Sequence, residues 1–255
     1  MAPMPEVLPS LLPSELLTYL LTHQEYPSTL LICQTRDNFI NSLVYDVSLT
    51  LKNQASPKQC NSPSTTTTLP MEGLIHDDSV TPHSLLLPTL HQMATSRYID
   101  LIFLPTVMHL RVYLATFPPP PPKEYPLPEE TPIEPGGKLP LLMVYGLIEL
   151  HNDTSEWCAQ GLCNTLASLI EAGPRSHRKV VITEKWTKKT NEDCRSESNA
   201  DLDDLSRCSI WEMRVPILHT SAKYAGVQGE NQIWIGRTTE IGRILARWFK
   251  FGTVK

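Results

Sequence analysis

Along the chain, compact apolar runs alternate with stretches whose apolar positions follow a helical period. Residues 29–34 (TLLICQ), 98–104 (YIDLIFL), 141–147 (LLMVYGL) and 179–184 (KVVITE) have the continuous hydrophobicity of strands buried on both faces of a sheet. Residues 14–21 read as a short amphipathic helix with Ser14 as N-cap, ended by Pro27. Phe39, Ile40, Leu43, Val44 and Val47 share a face of a helix over 37–51. Residues 84–95 predict a helix with Pro88 in its first turn, and 106–117 predict another that starts near Pro105. Asp153 to Glu156 have the form of a capping box ahead of a long helix to Ala172. Strands alternating with helices imply a parallel sheet covered on both faces, so the expected fold class is α/β.

Two polar inserts and a spacer interrupt this pattern. Residues 52–82 include four consecutive threonines, and 186–209 carry mixed charge; neither supplies a core. The proline-rich stretch 118–140 reads as a semi-rigid linker. All three are taken as interruptions of a single domain spanning 1–255. Residues 215–220 (VPILHT) predict a fifth strand. The segment 236–251 fits two periods. A helix would align Ile241, Leu245 and Trp248, whereas a strand would align Ile241, Arg243, Leu245, Arg247, Phe249 and Phe251. A long antiparallel strand, hairpinned with 215–220, is the preferred assignment.

Composition narrows the class further. With 23 prolines and 11 glycines in 255 residues, 41% apolar and 19% charged, the chain is no collagen, coiled coil or disulfide mini-protein. Its most apolar stretch, 139–150, is about 12 residues, well short of a membrane span, and the first ten residues carry no basic region. A soluble intracellular protein is expected. The six cysteines form no CxxC pair, and Cys158 and Cys163 are poorly spaced for zinc, so reduced thiols and no metal are expected.

Charge is unevenly spread. Residues 1–150 hold 7 basic and 14 acidic side chains, 151–222 hold 9 and 11, and 223–255 hold 6 and 2. Any polyanion contact therefore belongs at the C-terminal end. There Arg237, Arg243, Arg247 and Lys250 are interleaved with Trp234, Trp248 and Phe249, which sets phosphate-binding cations beside stacking rings. Arg237, Arg243, Arg247, Lys250 and Trp248 are the candidate DNA-binding residues. A charge-protected edge strand is the competing explanation of the same residues.

Catalytic signatures are missing from the sequence. GxxxxGK[ST] does not occur, nor does GxGxxG, GxSxG or HExxH. The turn after residues 29–34 has no glycine to let a backbone approach phosphates. Tyr145 stands where a magnesium-binding carboxylate would end an apolar strand, and a phenol is a poor magnesium ligand. His109, His151, Glu149 and Glu156 lie near element ends, where structural roles compete with catalytic ones. The expectation is a non-enzyme without cofactor.

The segments 29–39, 98–114 and 139–172, with LLMVYGLIEL at their centre, resemble the core of RecA-type recombinases, and more specifically the degenerate recombinase paralogues of the Shu complex. The resemblance implies a three-layer RecA-like core with a mainly parallel sheet and antiparallel C-terminal strands. It also implies a nuclear, non-catalytic subunit in homologous-recombination DNA repair. Such a subunit would pair with a SWIM-domain protein or another recombinase paralogue and touch DNA. The insert at 186–208 would occupy the place of a DNA-contacting loop, but it is net acidic. The alternative is an ATPase-less RecA-like assembly subunit of the Elongator type, acting in tRNA modification.

Overall fold

The computed structural model describes residues 4–23, 25–55, 83–118, 139–152, 154–186, 210–218 and 237–252. The core of both predicted inserts and of the proline-rich linker, and Trp234 with them, lie outside the described residues.

Four strands come from the four apolar runs. They are β2 (Ser28–Ile32), β3 (Ile99–Phe103), β4 (Leu141–Tyr145) and β5 (Lys179–Thr183). A short first strand, β1 (Glu6–Val7), and a last one, β8 (Lys250–Phe251), complete a sheet of order β3-β2-β4-β5-β1-β8. Every pairing in this sheet is parallel. A separate antiparallel pair joins β6 (Arg214–Pro216) to β7 (Thr238–Glu240). The α/β expectation holds, with a parallel sheet and an antiparallel pair near the C-terminal end, and the arrangement is consistent with a RecA-like core.

Strand alternation sorts the core into two faces. Along β4, Leu141, Met143 and Tyr145 pack with Leu16, Leu20 and Phe39 from α1 (Pro13–Thr22) and α2 (Arg36–Ala55). Leu142 and Val144 point the other way, into a cluster with Leu110 and Leu114 of α4 (Val107–Thr116) and Leu162, Leu166 and Leu169 of α6 (Ala159–Arg175). Ile241 and Leu245 of α7 (Ile241–Leu245) belong to this second cluster. The remaining helices are short: α3 (Leu90–Ser96) and α5 (Leu147–His151).

Several sequence expectations are corrected. Pro13 begins α1 and Leu12 is its N-cap, while Ser14 is buried inside the first turn with its N–H on the Asp46 carboxylate (3.0 Å). Thr89, not a residue before Pro88, caps α3. The long helix after β4 starts at Ala159, capped by the Cys158 thiol accepting from the Gly161 N–H, because α5 intervenes first. Strand β3 is not buried on both faces: it forms an edge of the sheet, and Leu101 is 48% exposed. The C-terminal segment is not one long antiparallel strand. Only Thr238–Glu240 pairs with Arg214–Pro216; the chain then coils into α7 and ends in β8, which pairs in parallel with β1. Burying Ile241, Ile244 and Leu245 together requires the helical period, and that burial outweighs the β-alternation also written there.

Candidate functional site

In an open parallel sheet, ligands collect outside the carboxyl ends of strands at points where neighbouring strands send their next elements to opposite faces. Three neighbouring pairs in this sheet meet that rule, β1 with β5, β2 with β4, and β2 with β3, which leads to α4; the two on either side of β2 share one space, so two sharply different places result. The first lies between β1, followed by α1, and β5, whose chain leads on to α7 on the other face. The second lies between β2, followed by α2, and β4, followed by α5 and α6.

The first point is closed. The chain beyond β1 and β5 continues to pair: Leu8 N–H donates to the Ile182 carbonyl (2.8 Å), Leu11 N–H to Glu184 (2.9 Å), and Trp186 N–H back to Leu11 (3.1 Å). Thr183 Oγ1 donates to the Pro9 carbonyl (2.7 Å). In the turn into α1, the Leu12 N–H is taken by the Glu15 carboxylate (2.9 Å) and the Ser14 N–H by Asp46. Pro9 and Pro13 have no N–H to offer. Of the N–H groups here, those of Leu8, Leu11, Leu12 and Ser14 are thus engaged within the fold. Tyr145 completes the seal. It is 1% exposed, its hydroxyl donates to the Leu11 carbonyl (3.3 Å), and its ring meets Phe39 edge to face at 6.0 Å. Burial and, next, the charge of Glu184 push its phenol further above its ordinary range, so it stays neutral.

The second point is an open cleft of about 600 Å³. Gln34 and Thr35 line it from the β2–α2 turn and Asn38, Asn41 and Ser42 from the start of α2; Glu149, Asn152 and Thr154 face them from the β4 side, with Lys185 beyond β5. Gly146 makes the turn out of β4. Its φ of 81° lies in the left-handed region that a side chain disfavours, and it caps α5. Under α5 sits Glu184, fully buried, with Oε1 accepting from the Ile148 N–H (2.8 Å) and Oε2 unpartnered. Burial pushes its carboxyl up to about 8, against the opposing pull of the backbone N–H donors of α5. The Gln34 Nε2 is likewise buried without a partner.

Among the described residues, this cleft offers amides, hydroxyls, one ammonium and one carboxylate. The thiol of its described lining, Cys33, is buried, and desolvation followed by the Glu184 charge raises its pKa well above the ordinary value. It therefore remains a thiol and a poor nucleophile. Among the described residues no group of three or more His, Cys, Asp or Glu is arranged to hold a metal ion.

The residues flagged by sequence are not gathered in either place. His151 is buried between the Leu147 carbonyl (2.8 Å) and Thr165 Oγ1 (3.0 Å), and burial lowers its pKa. A carbonyl can only accept, so Nδ1 carries a proton, while the Thr165 hydroxyl beside Nε2 is shared with the Gly161 carbonyl (3.3 Å). Thr165 Oγ1 also takes the Arg111 Nε (3.0 Å), while Arg111 reaches Glu156 (2.8 Å) and the Gly161 carbonyl (2.9 Å). This network ties α4 to α6 and accounts for His151 and Glu156 structurally. His109 is on the surface of α4; Glu149 is exposed at the cleft rim. At the C-terminal end, Arg237, Arg243, Arg247 and Lys250 are exposed and Trp248 is half-buried against the core. Arg243 is on the exposed side of α7, paired to Glu240 (3.3 Å), and Arg247 is exposed in the turn that follows the helix. Lys250 follows Phe249, which is buried on the α7 side, so it projects to the opposite face.

Sequence reasoning missed Glu184, Gln34 and Arg111. Glu184 had a signal, an acidic residue closing the apolar run KVVIT, one strand over from Tyr145. Comparison with protein-family models, with curated proteins and with solved structures gave no match in any of the three.

Proposed function

We propose that this chain is a non-catalytic RecA-like subunit of a homologous-recombination repair complex. It works by binding a SWIM-domain protein or another recombinase paralogue, with DNA contact at its C-terminal end. What carries the reading is the closed point between β1 and β5. There the strands run on past their ends, the Leu8 and Leu11 N–H groups are spent on sheet pairing, and Tyr145 of β4 is bonded over Leu11, so no space for a nucleotide is left.

The β3 edge supports the partner half of the reading. Of the 19 large apolar residues exposed among the described ones, 12 fall between Ile40 and Val112, on α2, α3, β3, α4 and the turns joining them. Tyr45 is 70% exposed, Leu90 80% and Met108 68%. An unpaired strand edge flanked on both faces by apolar side chains is suited to a protein partner.

Affinity capture of the tagged full chain from native extract, read by mass spectrometry, tests the proposal. Recovery of a SWIM-domain protein or recombinase paralogue, lost on Leu101→Lys, is the expected result. Recovery of Elongator-type subunits transfers the chain to tRNA modification, and the absence of a stable partner overturns the subunit role.

A further inference from the structure

The rings of Trp211 and Phe251 meet edge to face with centroids 6.2 Å apart, and Phe251 is 51% exposed at the outer edge of the sheet. Trp211 sits in the 3-10 turn Ile210–Glu212, which packs on the start of α7. Its carbonyl oxygen lies 3.0 Å, and its Cβ 3.5 Å, from where a Cβ on Gly242 would stand. Only glycine allows so close an approach without a shift. The ring pair is thereby fixed beside the outer side of α7.

That side is cationic. Arg243 follows Gly242 directly, and Arg247 lies one turn on; helical bonding continues to the Phe249 N–H on the Leu245 carbonyl (2.9 Å). Glu240 links Arg243 (3.3 Å) to a third guanidinium, Arg214 (3.9 Å). These pairs are solvent-exposed and are exchanged at little cost for another anion. Phe251 pairs in register with Val7, which is buried in the cluster on the α7 side, so its ring and the arginines face the same layer.

We propose that Trp211, Phe251, Arg214, Arg243 and Arg247 form a binding surface for single-stranded nucleic acid. The exposed ring stacks an unpaired base and the guanidinium groups hold the flanking phosphates. The inference rests on the DNA contact in the proposed function and narrows it to strands with free base faces. A duplex satisfies the arginines but hides its bases from the ring, and an acidic protein surface brings no flat partner for it.

Fluorescence anisotropy with the purified full chain decides the matter. The probes are a dye-labelled oligothymidine of about 20 nucleotides and a duplex of the same length, each titrated with salt. The single strand binds more tightly than the duplex. Phe251→Leu weakens single-strand binding on the order of tenfold and leaves duplex binding unchanged, while Phe251→Trp preserves it. Replacing Arg243 and Arg247 together by alanine lowers the salt slope on the single strand by about 1.4. Equal affinity for both probes, indifference to Phe251→Leu, or no binding to either overturns the proposal. The first comparison needs no variant. Partner capture without oligonucleotide binding overturns this inference alone; oligonucleotide binding without a captured partner overturns the subunit role alone.

Discussion

The switch points between β1 and β5 and between β2 and β4, at the carboxyl edge of the sheet, begin from the same topology and end as opposites. Between β1 and β5 the strands run on past their ends, bonding Leu8 to Ile182 and Leu11 to Glu184, and the space above is filled by Tyr145 and Phe39. Between β2 and β4 the chain turns away at once, at Thr35 and Gly146, and leaves a cleft rimmed by amides and hydroxyls. Topology thus decides where a site can be, while the fate of the backbone N–H groups decides whether one exists. In the closed point those donors serve the fold. In the open one, side chains such as Asn38, Asn41 and Gln34 carry whatever binding capacity there is.

The hardest test of this contrast removes the plug. Tyr145→Ala deletes a fully buried ring that touches Phe39 and bonds Leu11, and should cost about 3–5 kcal/mol of stability in urea titration. The space created is lined by apolar groups, and the N–H groups of Leu8, Leu11, Leu12 and Ser14 remain engaged. No magnesium-nucleotide affinity should therefore appear in calorimetry. Nucleotide binding by this variant would mean that the tyrosine alone, not the backbone pairing, keeps the point closed.

Glu184 lies between the two regions and links them to pH. The unfolded chain releases its proton near 4.5, whereas burial in the fold holds it to about 8. The folded-state pKa is raised, so this group's contribution to stability is complete below pH 4.5 and is lost as pH rises through about 8. Within that window, stability falls by about 1.4 kcal/mol per pH unit from this residue. Glu184→Gln keeps the Oε1 acceptor for the Ile148 N–H and cannot ionise. Its unfolding free energy, measured from pH 5 to 8, should lose that slope relative to the parent. An unchanged slope would show that the carboxylate is ionised in the fold and aimed at the open cleft.

The legible part of the molecule is the part governed by continuous burial. TLLICQ, LLMVYGL and KVVITE each gave a strand within two residues, because a parallel strand covered on both faces has no polar side to show. YIDLIFL has the same look and became an edge; nothing local distinguishes a strand with two neighbours from one with a single neighbour. β1 went unseen because two residues between Pro5 and Pro9 carry no period. Its place is set by β5 and β8, from far along the chain. Near the end, each period holds in a different stretch: Ile241 and Leu245 obey the helix, Lys250 and Phe251 the strand. The error lay in requiring one of them to hold throughout. The open cleft was hidden for a different reason. Its lining comes from four turns, and no single segment carries enough polar residues to mark it.

The finest distinction compares single polar groups across the two regions. Tyr145→Phe removes only the hydroxyl, leaving the ring packed and the Leu11 carbonyl with the Trp186 N–H (3.1 Å) but one buried donor fewer. A carbonyl stripped of a donor where water does not enter destabilises by about 1 kcal/mol. Asn38→Ala removes an exposed amide from the wall of the open cleft, where water replaces whatever it held, and should stay within about 0.5 kcal/mol. Parallel urea titrations of the two variants measure the difference directly. If Asn38→Ala proves as costly as Tyr145→Phe, the cleft wall is built for the stability of the fold, and the division into a sealed structural region and an open binding-competent one fails.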